Sequence, residues 1–467
     1  MGADRCGTCG SPANLICGGC GDVAYCSKDH QKKDWKTGHK ANCKAYKIEV
    51  HPQFGRYLVT TRDLKPGSRI LNKVRPSVLG PPLSMFVDLS CVCCNNKILP
   101  NKANVYCRQC NFPICSEQCN HPDSDPFCQC LSKITTNQNL EFITPLKFLM
   151  LKDSNPELFS KLLERESHAK ELKKCARWNE YQGKIIDPLM KLNYFDEDLI
   201  VKVIGILATN AFEVQSGPTS NKGLQIGMFE IADIMNHDCI GNTRIVMDTT
   251  NNDFKMSVYA SVAISKGSPI LNNYVKPLDT TPKRQDCLQD FKFFTCKCPR
   301  CLDPTDMKTF NSSYLCTKCQ TGPIICQTAG DIKCWKCVEC QNVMEDDTKI
   351  KFLDDQITNA GIKLKKIQAR LDLVQAKKLF NEMSQYLYPS HGFMQEIKQV
   401  LVLCHAAGSN NPGLEKEPLM QKERIKLIDE ILESLDILEP GLSLGRGKKI
   451  LFFRIYYKQL IGMKLFL

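Results

Sequence analysis

The sequence lacks any long run of apolar residues. No stretch approaches the roughly 20 consecutive apolar residues that span a bilayer, and the first residues, MGADRCGTCG, contain no apolar segment of the kind found in secretory signals. Position 6 is Cys6, so the Ser or Thr of the N-myristoylation pattern is missing as well. We therefore expect a protein that is not secreted and has no membrane association.

Extremes of composition are also missing. Hydrophobic residues make up 43% and charged residues 24% of the chain, which excludes a fibre and a mainly disordered protein. At roughly 150 residues per domain, 467 residues predict about three domains. The net charge of +12 permits nucleic acid or acidic proteins as partners, but no recognition-helix motif is present, and we do not expect direct nucleic-acid binding.

Cysteine, in contrast, is abundant. Without a secretory signal, the 28 cysteines are expected to remain reduced and to be available as metal ligands. Most of them fall into C-x2-C or C-x-C groups. Such groups suit tetrahedral Zn²⁺, because two thiolates of one tight turn can each reach a metal about 2.3 Å away.

Residues 6–43 contain eight side chains of ligand type, enough for two zinc sites. Interleaved pairing would place Cys6, Cys9, Cys26 and His30 on one metal, and Cys17, Cys20, His39 and Cys43 on the other. The segment is too short to bury a hydrophobic core, so metal binding would supply its folding free energy.

Residues 91–130 partly repeat this pattern. The candidate ligands are Cys91, Cys94, Cys107, Cys110, Cys115, Cys119, His121, Cys128 and Cys130. The last pair of ligands can be drawn from His121, Cys128 and Cys130, and Cys93 is a further candidate. One or two sites fit the pattern.

Two more groups follow. Cys296, Cys298 and Cys301 form a triplet that needs a fourth ligand from elsewhere in the chain. Cys316, Cys319, Cys337 and Cys340 have the spacing of a zinc ribbon, with Cys326 and Cys334 as spare thiols.

The remaining segments alternate between strand-like and helical patterns. Residues 54–60 and 243–275 are rich in β-branched and aromatic residues, with turn signals at 251–252 and 266–267. Apolar residues at helical spacing predict helices over 145–215 and 349–439, with breaks at Pro389 and around 408–418. We expect the basic, apolar end of the chain to form a packed helix or strand.

The phrase YCSKDHQKKDWKTGHKANC resembles the MYND zinc finger. One departure is His30, where that family usually has Cys. Histidine is an acceptable zinc ligand, so the resemblance implies that the site keeps its metal with one thiolate fewer.

Three separated phrases resemble the SET lysine methyltransferase domain. They are GRYLVTTRDLKPGSRIL from Gly55, MNHDC from Met235, and the tyrosine that ends ILNNY, Tyr274. NAFEV from Asn210 and RQDCLQDFKFFTCKCPRCLDPT from Arg284 narrow the resemblance to the SET and MYND (SMYD) family, and most closely to its arthropod SmydA branch. It covers nearly the whole chain and weakens after about residue 440.

The resemblance implies an α+β multidomain protein whose β-rich SET core is split by zinc-binding and helical insertions. The expected parts are a MYND-type finger (1–46), the first SET part (47–90), a second MYND-like Cys-rich module (91–131), a helical insert (132–195), the second SET part (196–276), a post-SET zinc segment (277–305), a zinc ribbon-like segment (306–345) and a C-terminal helical, TPR-like domain (346–467).

The resemblance also implies a site. Cys239 would complete the zinc site of Cys296, Cys298 and Cys301. S-adenosylmethionine would lie against Gly55, Arg56 and Tyr57 and beside Asn236, His237 and Tyr274, with Phe294 stacking on the adenine. Tyr274 would stand at the methyl-transfer centre, with Phe212 as a wall of the lysine channel. His168 is either a cofactor contact or a surface-helix histidine.

Three positions depart from the family pattern. Gly55-Arg56-Tyr57 replaces Gly-x-Gly in the cofactor turn, Gly227-Met228-Phe229-Glu230 replaces Gly-Leu-Tyr-Pro, and Lys292 replaces an aromatic residue of the lysine channel. A side chain at the second glycine is costly only if that residue needs a positive φ or if the ligand approaches closely.

These features predict a monomeric S-adenosylmethionine-dependent protein-lysine methyltransferase with about five or six zinc ions. Its substrate would be a histone or another protein, in the nucleus and cytoplasm. The alternative is a non-catalytic scaffold, in which a degenerate SET core supports a finger that binds proline-containing peptides of transcriptional regulators.

Overall fold

The structure is a computed structural model. It describes residues 5–20, 23–40, 43–52, 55–83, 89–98, 105–122, 124–134, 140–214, 224–248, 254–329, 332–344, 347–408 and 418–442.

Strands are short and, in the described part of the chain, lie between Leu15 and Met344. They are β1 (Leu15–Ile16), β2 (Ala24–Tyr25), β3 (Tyr46–His51), β4 (Gly55–Thr60), β5 (Arg69–Val74), β6 (Val78–Gly80), β7 (Val105–Tyr106), β8 (Pro113–Ile114), β9 (Phe212–Val214), β10 (Gln225–Met228), β11 (Asn236–His237), β12 (Thr243–Asp248), β13 (Lys255–Ala260), β14 (Leu271–Asn272), β15 (Tyr314–Leu315), β16 (Pro323–Ala329), β17 (Ile332–Cys337) and β18 (Val343–Met344).

Helices fill the insert and the C-terminal part. They are Lys28–Asp34, Pro126–Ser132, Ile143–Leu149, Leu151–Ser154, Pro156–Leu163, Ala169–Leu172, Trp178–Tyr181, Asp187–Met190, Glu197–Asn210, Thr281–Lys292, Pro299–Leu302, Asp347–Arg370, Leu373–Met383, Gly392–Gly408 and Pro418–Leu438. Wider turns cover Trp35–His39 and Gln182–Ile186, and tight turns cover Glu117–Cys119 and Ala232–Ile234.

The SET core is built from small sheets that meet around one apolar cluster. β12, β13 and β5 form an antiparallel sheet, β6, β10 and β9 form another, and β3 pairs with β4. Leu58, Phe229 and Val258 are buried in the cluster between them. β11 and β14 run parallel, with Asn236 opposite Leu271, so two distant segments lie side by side.

The second Cys-rich module does not stand apart from the helical insert. Phe112 of the module and Phe142, at the start of the insert, lie 5.8 Å apart between ring centroids. Both belong to one large hydrophobic cluster that also contains Leu146 and Leu207. The two predicted parts therefore share a single core, although the boundary between them stays a prediction.

The zinc ribbon and the C-terminal helices share another core. β15, β16, β17 and β18 form a four-stranded sheet, and Tyr314 packs in one cluster with Leu364 and Leu379 of the helices. A break that the sequence did not predict lies at Leu371, whose φ of +52° ends the helix Asp347–Arg370.

Two expectations from the sequence are corrected or fall outside the description. The predicted helical region ends at Asn210, because Phe212–Val214 pair with β10 as a strand. The turn signals at 251–252, the chain break over 409–417 and the segment after 442 lie outside the described residues. Among the described helices, none combines the length and hydropathy of a membrane span.

Candidate active site and zinc centres

The N-terminal finger brings its eight ligand-type side chains into two groups, paired as the interleaved pattern predicts. Cys6, Cys9, Cys26 and His30 form one group, and Cys17, Cys20, His39 and Cys43 form the other. The Sγ atoms of Cys9 and Cys26 are 3.6 Å apart, and those of Cys17 and Cys43 are 3.7 Å apart. Tetrahedral zinc with Zn–S bonds of about 2.3 Å needs sulfur pairs about 3.8 Å apart, so both groups fit this metal.

The second Cys-rich module also holds two groups. Cys91, Cys94, Cys115 and Cys119 form one, and Cys107, Cys110, His121 and Cys128 form the other. The ligand set predicted from sequence is corrected at Cys130, which joins neither of these groups. Cys130 follows Cys128 by two residues in the helix Pro126–Ser132, and two residues are about 200° of helical rotation. Its side chain therefore cannot face the metal site that Cys128 faces.

The zinc ribbon ligands meet across two turns. Sγ of Cys316 is 3.6 Å from that of Cys340, and Sγ of Cys319 is 3.8 Å from that of Cys337. Cys326 and Cys334 lie within the paired strands β16 and β17, away from these turns, as spare thiols.

The post-SET triplet obtains its fourth ligand from Cys239. The Sγ atom of Cys239 lies 3.4 Å from that of Cys301 and 4.0 Å from that of Cys296. Cys298 completes the group. Cys239 is fully buried, and Tyr274 and Phe294 pack against the apolar cluster around these thiols. A metal at this point would fix the post-SET segment against β11.

Tyr274 stands directly after β14, beside the end of β11. Its backbone N–H donates to Nδ1 of His237 at 3.1 Å, and its hydroxyl donates to the backbone carbonyl of Met235. The rings of His237 and Tyr274 have centroids 5.0 Å apart, and Phe294 meets His237 edge-on at 5.9 Å. Three residues that the sequence predicted for the site are thus in contact.

His237 is held in one tautomer. Burial lowers the pKa of His237 to about 4, so its ring is neutral near pH 7. Because Nδ1 accepts from Tyr274, the ring proton is on Nε2, which lies 3.3 Å from Sγ of Cys239. The ring thereby links the tyrosine to the zinc group, and Asn236 lies beside it on β11.

The turn predicted to contact the cofactor keeps a backbone conformation that requires glycine. Gly55 has a φ of +67°, and a Cβ there would meet no atom within 4 Å. Tyr57, at the second glycine position, lies in the regular pairing of β4 with β3, and its hydroxyl donates to Glu49 at 3.1 Å. This extended position does not need glycine, so the conformational cost raised by the sequence does not arise.

Arg56 and His168 connect the turn and the post-SET segment to the helical insert. The Arg56 guanidinium donates to Oε2 of Glu164 at 2.9 Å. His168 has a left-handed backbone, with a φ of +46°, and its ring lies 5.3 Å from that of Phe293. His168 thus packs against the residue that precedes Phe294 and caps the helix Ala169–Leu172, and its role as a cofactor contact or as a surface-helix histidine stays a prediction.

Phe212 and Lys292, which the sequence analysis assigned to the lysine channel, have the following contacts. Phe212 meets the buried Phe229 edge-on at 6.0 Å between centroids. The amine of Lys292 donates to the backbone carbonyl of Thr209 at 2.5 Å and lies 5.4 Å from the centre of the Tyr274 ring. Desolvation lowers the pKa of Lys292 to about 8.

One ion pair at the site had no signal in the sequence. Arg165 donates to both carboxylate oxygens of Asp233, at 2.9 and 3.1 Å, and to the backbone carbonyl of Glu230 at 2.6 Å. Both side chains are buried. The pair fixes the helical insert to the chain just before Met235, which the order of residues alone could not reveal.

Comparison with known protein families decides the assignment. A MYND finger profile matches residues 6–43, and a SET domain profile matches residues 55–275. The chain therefore contains both a MYND finger and a SET domain. Its fold agrees with the α+β architecture predicted from the sequence, with several Cys and Cys/His groups beside the SET region.

Individual relatives of this SET and MYND protein agree with the SmydA-type assignment. The SET domain-containing protein SmydA-8, isoform A, of Drosophila melanogaster is 25% identical over 83% of this chain and 83% of its own length. The N-lysine methyltransferase SMYD2 of Homo sapiens is 29% identical over 30% of this chain and 31% of its own length.

A solved structure gives a weaker likeness. The SET domain of LSMT, bound to lysine and AdoHcy, is 11% identical, covers 93% of this chain and 96% of its own, and has a TM-score of 0.28.

Proposed function

We propose that the protein is an S-adenosylmethionine-dependent protein-lysine N-methyltransferase. One observation carries the proposal: Cys239 joins the post-SET triplet, and this brings Tyr274, His237 and Phe294 together. Residues from β11, from the end of β14 and from the post-SET segment thus surround one point. Four thiolates with sulfur spacings of 3.4 to 4.0 Å fit a structural zinc that would hold this arrangement.

The residues fit a bound methyl donor. Gly55 leaves open space at the turn, Asn236 offers a polar side chain, and His237 and Phe294 offer aromatic faces. All except Gly55 are half-buried. When bound, the donor would supply an electrophilic methyl on a sulfonium. Methyl transfer from a sulfonium to a neutral amine depends mainly on alignment and exclusion of water.

The chain's own residues would serve these two needs. The Tyr274 hydroxyl is fixed by the Met235 carbonyl, so it can complement the charge that changes during transfer. Phe212 and Phe229 give the acceptor side an apolar wall. Desolvation there would lower the pKa of an incoming lysine and so favour its neutral, nucleophilic form.

The acceptor would be a histone or another protein. The MYND finger would recruit proline-containing peptides, since Trp35 on its surface is 40% exposed and aromatic surfaces bind extended proline segments. The six Cys and Cys/His groups would hold about six zinc ions. We further propose a monomer that acts in the nucleus and cytoplasm.

Transfer of labelled methyl groups tests the catalytic proposal. Zinc-loaded full-length protein is incubated with methyl-labelled S-adenosylmethionine and histone or whole-lysate proteins. We expect labelled protein with the wild type and little with Tyr274→Phe. Equal labelling by both would show that the transfer centre lies elsewhere.

The non-catalytic scaffold remains the second candidate, and one observation favours it. The Lys292 amine stands beside Tyr274, where an acceptor would have to enter. If it only blocks entry of the acceptor, methyl transfer would be undetectable even where the donor binds, while the finger would still bind peptide.

A further inference from the structure

Lys292 places a primary amine inside the acceptor side of the site. It is the last residue of the helix Thr281–Lys292, and the left-handed Phe293, with a φ of +58°, ends the helix there. The amine donates a hydrogen bond to the Thr209 carbonyl at 2.5 Å and lies 5.4 Å from the centre of the Tyr274 ring. Phe294, two residues later, packs against His237.

We propose that Lys292 is a modification site of this chain, methylated in cis by the chain's own SET domain. The inference rests on the proposed function, because it needs a methyl sulfonium donor beside Tyr274. It goes beyond that function, since the acceptor is a residue of the protein itself.

The amine has the chemical state that the reaction needs. Desolvation lowers the pKa of Lys292 to about 8, so roughly a tenth of it is neutral at pH 7 and most of it is neutral at pH 9. Because Lys292 is part of the same chain, it does not lose the translational freedom that a separate acceptor would lose on binding.

The reaction balances without a further reactant. The lone pair of the Lys292 nitrogen forms the N–CH₃ bond as the CH₃–S⁺ bond breaks, and the bonding electrons stay on sulfur. The products are S-adenosylhomocysteine and a methylammonium group, which releases its proton to solvent. The methylated side chain can still donate to the Thr209 carbonyl.

Its position indicates transfer within one molecule. The amine donates to the Thr209 carbonyl, lies over the Tyr274 ring and belongs to a half-buried side chain. Within one molecule it is already beside Tyr274, whereas a second copy of the chain would have to reach a half-buried group. The initial rate per molecule should therefore not depend on protein concentration.

Lys147 is a matched control in the same chain. Desolvation lowers its pKa to about 8 as well, and its amine donates to a backbone carbonyl, that of Leu79, at 3.3 Å. It lies over the ring of Phe127 at 5.5 Å, beside the second Cys-rich module. The two lysines thus share amine chemistry, and only Lys292 adjoins Tyr274.

The test maps methylation by mass spectrometry of peptides from zinc-loaded full-length protein, before and after incubation with S-adenosylmethionine. We expect methyl groups on Lys292 and none on Lys147. The rate should be independent of protein concentration and rise roughly tenfold from pH 7 to pH 9, as the neutral fraction does. It should be lost in Tyr274→Phe, and Lys292→Arg should remove the modified peptide where Lys147→Arg should not.

A second readout does not depend on turnover. S-adenosylhomocysteine should protect Lys292, but not Lys147, from acylation by a small amine-reactive reagent. Equal protection of both, or of neither, would contradict the placement of Lys292 at the donor site.

The outcomes separate this inference from the proposed function. Donor binding with methylation of an external protein but an unmodified Lys292 would overturn the inference alone. Methylation of Lys292 at a rate proportional to protein concentration would overturn the cis assignment. Absence of donor binding would overturn both proposals.

Discussion

Among single residues, Tyr274 is the one on which the proposed methyl transfer depends most. Its hydroxyl is held by the Met235 carbonyl and its backbone by His237, so the side chain is fixed before any ligand binds. A catalytic side chain that is fixed in this way stabilises the transition state of the reaction more than it strengthens binding of the ground state.

Tyr274→Phe should therefore lower methyl transfer by about 100-fold and change donor affinity only a few-fold. Single-turnover transfer and calorimetry measure the two effects. Tyr194→Phe is the matched control, because the Tyr194 ring is 54% exposed and its hydroxyl bonds to Asp153. A variant that loses both binding and transfer would show that Tyr274 is a folding residue.

Residue identities were predictable where spacing carried the information. C-x2-C and C-x3-H intervals fix which side chains leave one turn together, so the finger ligands followed from the sequence. The contact between Lys292 and Thr209 joins residues 83 positions apart. No local pattern encodes it, and the same holds for Arg165 and Asp233.

At the scale of elements, the helix Glu197–Asn210 places Thr209 and Phe212 beside the site. Gly205 lets this helix approach the segment that carries His168. A Cβ on Gly205 would lie 2.0 Å from the backbone oxygen of Ser167, closer than any real contact. The sequence showed the helix by its periodicity but not the reason for this glycine.

Gly205→Ala should therefore destabilise the protein by about 1–3 kcal/mol and displace His168 from Phe293. Urea unfolding measures the first effect, and donor titration should show weaker binding. Gly183→Ala is the control, since a Cβ there would meet nothing within 4 Å. Equal stability of the two variants would contradict the close approach.

The predicted elements were right where one period dominated. β4 and β12 lie where β-branched and aromatic residues predicted strands, and the C-terminal helices lie where apolar residues recur at helical spacing. The strand Phe212–Val214 was missed because it is only three residues long and only Ala211 separates it from the end of the preceding helix. Its strand state depends on that tertiary partner.

At the scale of the whole molecule, one buried carboxylate joins several parts. Asp306 accepts from Arg300 at 2.5 Å and from Arg284 at 3.4 Å, and all three side chains are almost fully buried. Arg284 also lies 3.6 Å from Sγ of Cys301. The zinc segment is thereby connected to the start of the ribbon.

Asp306→Asn should cost about 3–5 kcal/mol of unfolding free energy, because it leaves two buried guanidinium groups without their counterion. Denaturant unfolding of the zinc-loaded chain measures the loss. The control is Asp198→Asn. The wild-type Asp198 carboxylate is 93% exposed and pairs with Lys173, so we expect its loss to change the unfolding free energy by less than about 1 kcal/mol. A small effect at Asp306 would show that the three side chains do not act as one buried network.

In our proposal, Cys239 closes a post-SET zinc site and so forms a binding site for a methyl donor. The decisive experiment is calorimetric titration of S-adenosylmethionine into the zinc-loaded full-length chain, with zinc content measured in parallel. We predict one saturable site for the wild type and for Cys287→Ser, and for Cys239→Ser one zinc fewer with much weaker binding. No heat of binding to the wild type at high micromolar donor, or unchanged binding in Cys239→Ser, would contradict the account.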